Sequence, residues 1–271
     1  MHSIVQATVR EAVSVARCAV AYPQGMLDVS LRTGTPCGDQ NRDHPVILVH
    51  GYGHNASGWM MVRAALRHNG FTSVHTMNYN PWFDDIPKIA RKLADRVEKV
   101  RELTGSDKVH IVGHSLGGIV TRWYVQEGGG DQTVGTAITL SSPHSGTIAA
   151  FAGPGRTARE LRPGSWVMRR LNDTARPSDV RWVAFYGDSD ALIQPARSGR
   201  IDTPALNARN VLIPAMGHMG MLLSGDVVNQ VMDELLNPPA AATSLPLFAR
   251  RSQNARPSAP ARRGRGTAAV S

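Results

Sequence analysis

Short, unbroken apolar runs alternate with longer stretches of helical periodicity from about residue 45 to residue 236, and few folds accept that pattern. Val46–Val49, Val134–Leu140 and residues 109–112, 180–186 and 211–213 read as buried strands, with residues 71–78 as a further one. Between them, Ile89, Leu93, Val97, Val100 and Leu103 recur at helical spacing. Asp84 or Asp85 is placed to cap that helix, Pro87 falls in its first turn, and Gly105 ends it. A second helix is predicted over residues 116–126, ended by Gly128–Gly129–Gly130. A third covers residues 227–236, with Ser224 or Asp226 as its cap. Strands alternating with helices at this spacing predict an α/β fold, a mostly parallel sheet covered on both faces.

Three regions follow. Residues 1–44 are an N-terminal helix and connector, residues 45–237 the α/β domain, and residues 238–271 a tail rich in Ala, Pro, Ser and Arg that is expected to be disordered. The net charge of +9 suggests nucleic acid until it is located. Arg250, Arg251, Arg256, Arg262, Arg263 and Arg265 carry six of those charges within the acid-free tail, and the near-neutral remainder has no need of a phosphate partner. No apolar run approaches the roughly 18 residues that cross a bilayer. Arg10, Glu11 and Arg17 interrupt any signal-peptide core, which favours a cytoplasmic location and leaves export open. Val5, Val9, Ala12, Val13, Ala16 and Val20 instead form a helical stripe, expected to pack on the domain. Peripheral membrane contact through that helix or the basic tail is the alternative. Cys18 and Cys37 are a disulfide pair only in an oxidising compartment, and neither has a metal-like spacing.

Gly113-His114-Ser115-Leu116-Gly117 lies between a predicted strand and a predicted helix. There a G-x-S-x-G sequence makes a sharp turn that lifts the serine hydroxyl above the sheet edge, with Gly113 and Gly117 leaving room for crowded backbone. A serine needs a base. Among ten histidines, His218 stands after the last strand and before the last helix, at the sheet edge that the elbow also occupies. Two aspartates follow the preceding strand. Asp190, backed by an apolar turn, is assigned as the acid, and Asp188 as a turn-capping residue. The oxyanion donors are expected to be the N–H groups of Leu116 and of Tyr52, with His50 and Gly51 shaping the loop. His54, His114 and His144 near the same mouth are read as structural. Residues 148–179 are expected to supply a short cap, with Trp166 and Met168, and Met219 beside the histidine, lining an acyl channel.

Together with Ser142-Pro143-His144-Ser145-Gly146-Thr147, these motifs resemble the bacterial triacylglycerol lipases of α/β-hydrolase fold, especially small members with little or no lid. The similarity runs from about Pro45 to Leu236. It implies hydrolysis of lipid or small carboxylic esters through an acyl-enzyme, no cofactor, a triad of Ser115, Asp190 and His218, and an oxyanion hole at Tyr52 and Leu116. Some such lipases hold a structural calcium, but no carboxylate pair here matches that site. A thioesterase or acyltransferase would use the same triad. A non-catalytic binding protein on this fold is the more distant alternative, and oligomeric state is not legible.

Overall fold

The computed structural model describes residues 2–25 and 38–237. Six strands form one fully parallel sheet: β1 (Val46–Val49), β2 (Val74–Met77), β3 (Val109–His114), β4 (Val134–Leu140), β5 (Arg181–Gly187) and β6 (Arg209–Ile213). Their order is β2-β1-β3-β4-β5-β6. The chain runs outward to β2 and then returns past β1 to start β3, so a topological switch point lies between β1 and β3. The loops that follow these two strands meet there, where parallel α/β sheets place their ligands.

The helices are α1 (His2–Ala21), the single turn α2 (Gln40–Asp43), α3 (Met60–His68), α4 (Ile86–Thr104), α5 (Leu116–Glu127), α6 (Gly155–Glu160), α7 (Trp166–Asp173), α8 (Gly220–Leu223) and α9 (Gly225–Leu236). Strand pleating sends alternate residues to opposite faces. Ile47 and Val49 of β1 join a core with α4, α5 and α7, whereas Val46 and Leu48 join a second core with α3 and α9. The inner strands are therefore buried on both faces, as their near-continuous apolar runs require, while the edge strand β6 keeps Arg209 and Leu212 exposed. Asp85, rather than Asp84, caps α4 by accepting the Lys88 N–H at 2.9 Å, and Gly105 closes the helix at φ 69°. Asp84 is instead buried between Lys88 and Lys92. Ser224 caps α9.

The N-terminal helix departs from the expected packing. It lies against the 3-10 turn Ala56–Trp59 and against α8, but not through its valine stripe. Val9, Val13 and Val20 are 58%, 47% and 80% exposed, while Ser14 and Cys18 are buried. The physical reason is a polar one: Glu11, on the same face as Ser14 and Cys18, reaches into the body to accept backbone hydrogen bonds. That demand sets the helix's rotation and leaves the valines outward. Cys37 and the Arg-rich tail lie outside the described residues, and with them the Cys18–Cys37 pairing that only an oxidising compartment allows and the expected disorder of the tail.

Candidate active site

Ser115 joins β3 to α5 with φ 54° and ψ −122°, a conformation that costs a non-glycine residue free energy and that surrounding structure must enforce. The enforcement is steric. A Cβ on Gly117 would sit 2.1 Å from the Val49 carbonyl oxygen, and one on Gly113 would sit 2.6 Å from the Gly118 nitrogen. The Ser115 N–H is held by the Leu140 carbonyl at 2.9 Å. Leu116 opens α5, so its N–H has no acceptor within the helix and faces the region where the helix dipole favours negative charge. Gly51 backs onto the elbow, since a Cβ there would lie 2.9 Å from Ser115 Cβ.

His218 follows β6 and is buried. Its Nδ1 bonds Asp190 Oδ2 at 2.9 Å. Asp190, which follows β5 and is 1% exposed, also accepts the N–H groups of Leu192 at 2.9 Å and Ile193 at 3.0 Å through Oδ1. Burial pushes its carboxyl pKa upward. The facing His218, the hydrogen bond to it, the Ser141 hydroxyl and the Leu192 N–H outweigh burial and hold it below the usual value. The group is therefore an anion at neutral pH. Asp188 serves the loop instead, accepting the Ala215 N–H at 2.7 Å.

Elbow and histidine loop are tied together by His114. Its Nε2 bonds the His218 carbonyl oxygen at 3.1 Å, and the two rings lie 4.7 Å apart. Burial, then the neighbouring His218, keeps its pKa well below the ordinary value, so it stays neutral. Among the described residues the Ser115 hydroxyl makes no hydrogen bond, and catalytic serines often close theirs only with substrate present.

His50 and His144 have structural employment. His50 stacks on Tyr79 with centroids 4.2 Å apart, donates from Nδ1 to the Gly51 carbonyl at 2.8 Å and accepts the Tyr79 N–H at Nε2. Burial lowers its pKa to about 4. His144 bonds the Thr139 hydroxyl at 3.0 Å. Tyr52 gives its hydroxyl to the Pro154 carbonyl at 2.6 Å and walls the cavity that opens on Ser115.

A cavity of about 130 Å³ opens on Ser115, walled by Tyr52, Pro143, Thr147, Leu161, Leu192 and Ile193. Trp166 and Met168 are not among its walls. Trp166 is half exposed and packs edge-on against Trp123, while Met168 is buried in the core. A helical residue's neighbours depend on where its helix docks, which the apolar character of residues 148–179 does not encode. Met219 lines a separate groove of about 450 Å³ with Val15, Cys18, Tyr22, Tyr52 and His54. The walls at Thr147, Leu192 and Ile193 had no signal beyond being near the aspartate and the Ser-Pro-His motif. Glu11 had none at all. Among the described residues no cluster of His, Cys, Asp or Glu is placed to hold a metal.

A parallel sheet of this order, a strained serine elbow and a buried Asp–His pair at one rim define an α/β-hydrolase fold. Residues 45–199 match the model of the palmitoyl protein thioesterase family, more than half of the chain, and the protein belongs to that family. Over 112 residues the chain is 30% identical to triacylglycerol lipases of Pseudarthrobacter phenanthrenivorans and Burkholderia plantarii. These matches cover 38% of this chain and 34% and 30% of the relatives, about a third of their length. In structure the chain is similar to a mature Bacillus licheniformis lipase, with a TM-score of 0.62, 18% identity and coverage of 75% of this chain and 95% of that one. It is also similar to a monoacylglycerol lipase of Paleococcus ferrophilus, with a TM-score of 0.59, 13% identity and coverage of 78% and 99%. At these identities the structural likenesses speak to the fold.

Proposed function

We propose that the protein is a serine carboxylic ester hydrolase, and the observation that carries this is the Asp190–His218 pair held against the Ser115 elbow. Asp190 takes the Nδ1 proton of His218 as a hydrogen bond, so Nε2 is the basic nitrogen. Nε2 removes the Ser115 proton as the hydroxyl oxygen attacks the ester carbonyl, and Asp190 stabilises the imidazolium. The oxyanion rests on the N–H groups of Leu116 and Tyr52, each such donor typically worth about 2.7–4 kcal/mol. The alcohol leaves with the proton from His218. Water, deprotonated by the same nitrogen, then releases the acid and regenerates the serine.

The family match supports a second reading at the same site, in which the bond cleaved is a thioester. The cavity on Ser115 is small against the roughly 300–1,000 Å³ of ordinary ligand sites, which suits a short acyl group. A longer apolar chain fits the groove along Tyr52, His54 and Met219. The outward valines of α1, with Arg10 and Arg17, suit contact with a lipid surface. Failure to co-sediment with anionic vesicles would remove that last point.

Ser115→Ala is expected to lower hydrolysis of p-nitrophenyl butyrate by roughly 10⁶-fold with the fold intact, and to abolish labelling by a fluorophosphonate. Labelling that survives in the variant would place the nucleophile elsewhere. Butyryl, decanoyl and palmitoyl oxygen esters compared with their thioesters rank the two readings by kcat/KM.

A further inference from the structure

Glu11, midway along α1, accepts two backbone hydrogen bonds through its carboxylate, from the Met219 N–H at 2.7 Å and the Gly220 N–H at 3.0 Å. These are the two residues that follow His218. They are the cap and the first residue of the single-turn α8, where N–H groups have no acceptors within the turn. The approach is so close that a Cβ on Gly217 would lie 2.3 Å from Glu11 Oε2. The glycine before the histidine thus makes room for a carboxylate that arrives from more than 200 residues away in sequence. Ser14 and Cys18, one and two turns further along the same helix face, are buried against the body.

We propose that Glu11 is a positioning residue for His218, and that α1 is thereby part of the catalytic apparatus rather than an appendage. The proposal rests on the reading of Ser115, Asp190 and His218 as a triad. Four hydrogen bonds from three side chains then define where the imidazole sits. Asp190 orients its ring, His114 holds its carbonyl, and Glu11 anchors the two peptide groups beyond it. Only the last comes from outside the sheet-borne loops. Loss of the carboxylate leaves two N–H groups unpaired, and the loop shifts to resolvate them. A displacement near 1 Å at a catalytic group can cost about 100-fold in rate.

The test uses full-length Glu11→Gln and Glu11→Ala, assayed on p-nitrophenyl butyrate well below each variant's melting temperature. Glu11→Ala is expected to lower kcat about 10- to 100-fold, with KM within about twofold of the parent. Glu11→Gln, which keeps the shape and one carbonyl acceptor, is expected to fall less. Fluorophosphonate labelling of Ser115 should slow in the same order. Parent-like kcat and labelling in both variants, with only the melting temperature lowered, would mean that Glu11 docks the helix and nothing more. If Glu11→Ala does not fold, the isosteric Glu11→Gln carries the decision alone. Retained turnover in Ser115→Ala or His218→Ala overturns the triad itself, so the two failures are distinguishable.

Discussion

The serine elbow and the histidine loop meet at one rim of the sheet, yet they are held by opposite means. Around Ser115 the constraint is backbone against backbone. Gly117 touches the end of β1, Gly113 touches Gly118, and the strained φ of the serine is enforced by residues that cannot yield. The loop at 214–219 is also strained, with Ala215 at φ 51°, but side chains hold it. Asp188 takes the Ala215 N–H, Asp190 the imidazole, His114 the His218 carbonyl, and Glu11 the next two N–H groups. The elbow is rigid because of what is missing from its glycines. The loop is precise because four distant side chains converge on it, and each of those can be removed singly.

The contrast breaks most sharply at Asp190. Asp190→Asn should lower kcat by about 10⁴-fold with little structural change, because an amide cannot hold the imidazole in the required tautomer. A loss under tenfold in steady-state assays would mean that the loop does not depend on this contact.

A paired glycine test sharpens the comparison. Gly117→Ala pushes a methyl group into the Val49 carbonyl, and is expected to cost about 1–3 kcal/mol in urea unfolding. Gly217→Ala first meets the Glu11 carboxylate, the far end of a side chain that can swing aside, so its stability cost should stay below that of Gly117→Ala. Its kcat should nonetheless drop about tenfold as the carboxylate is displaced. Equal stability losses in the two variants would erase the distinction drawn between the regions.

The smallest effect is in acid. Asp190 is held below the usual carboxylate range in the folded chain, so its pairing stabilises the fold fully above about pH 4 and is lost as pH falls through the folded-state value. Relative to Asp190→Asn, the parent should therefore lose stability as pH drops below about 4. Parallel acid-unfolding curves for the two would remove the link between that pairing and stability.

The legible parts of this protein share a property. The central strands were readable as largely apolar runs because a strand buried on both faces cannot alternate, whereas the edge strands β2, with His75 and Thr76, and β6, with Leu212 exposed, carry that signal only in part. The elbow was readable because its glycines and serine are neighbours in sequence and obey one local geometry. His218 and Asp190 followed from chain order and from which strand end each must occupy. The aspartate capping α4 and the residue capping α9 stayed two-way choices until the backbone was seen, since Asp84 and Asp85, or Ser224 and Asp226, satisfy the same local rule.

Trp166 and Met168 show where local reading stops. Their apolar character is equally compatible with a channel wall, a core or a surface patch, and the docking of α7 put one outside and the other beneath. The N-terminal helix shows it more plainly. Its periodicity correctly announced a helix, but hydrophobic spacing pointed to the wrong face, because a single carboxylate with two backbone donors to satisfy turned the helix around.

Sequence alone thus determined the α/β architecture, the serine turn and the strand ends that carry Asp190 and His218, all governed by contacts among near neighbours or by the fixed polarity of a parallel sheet. Only the tertiary structure decided which side chains anchor the histidine loop, which residues wall the cavity, and how α1 is rotated. Those depend on hydrogen bonds between segments far apart in the chain, whose energies no local pattern records.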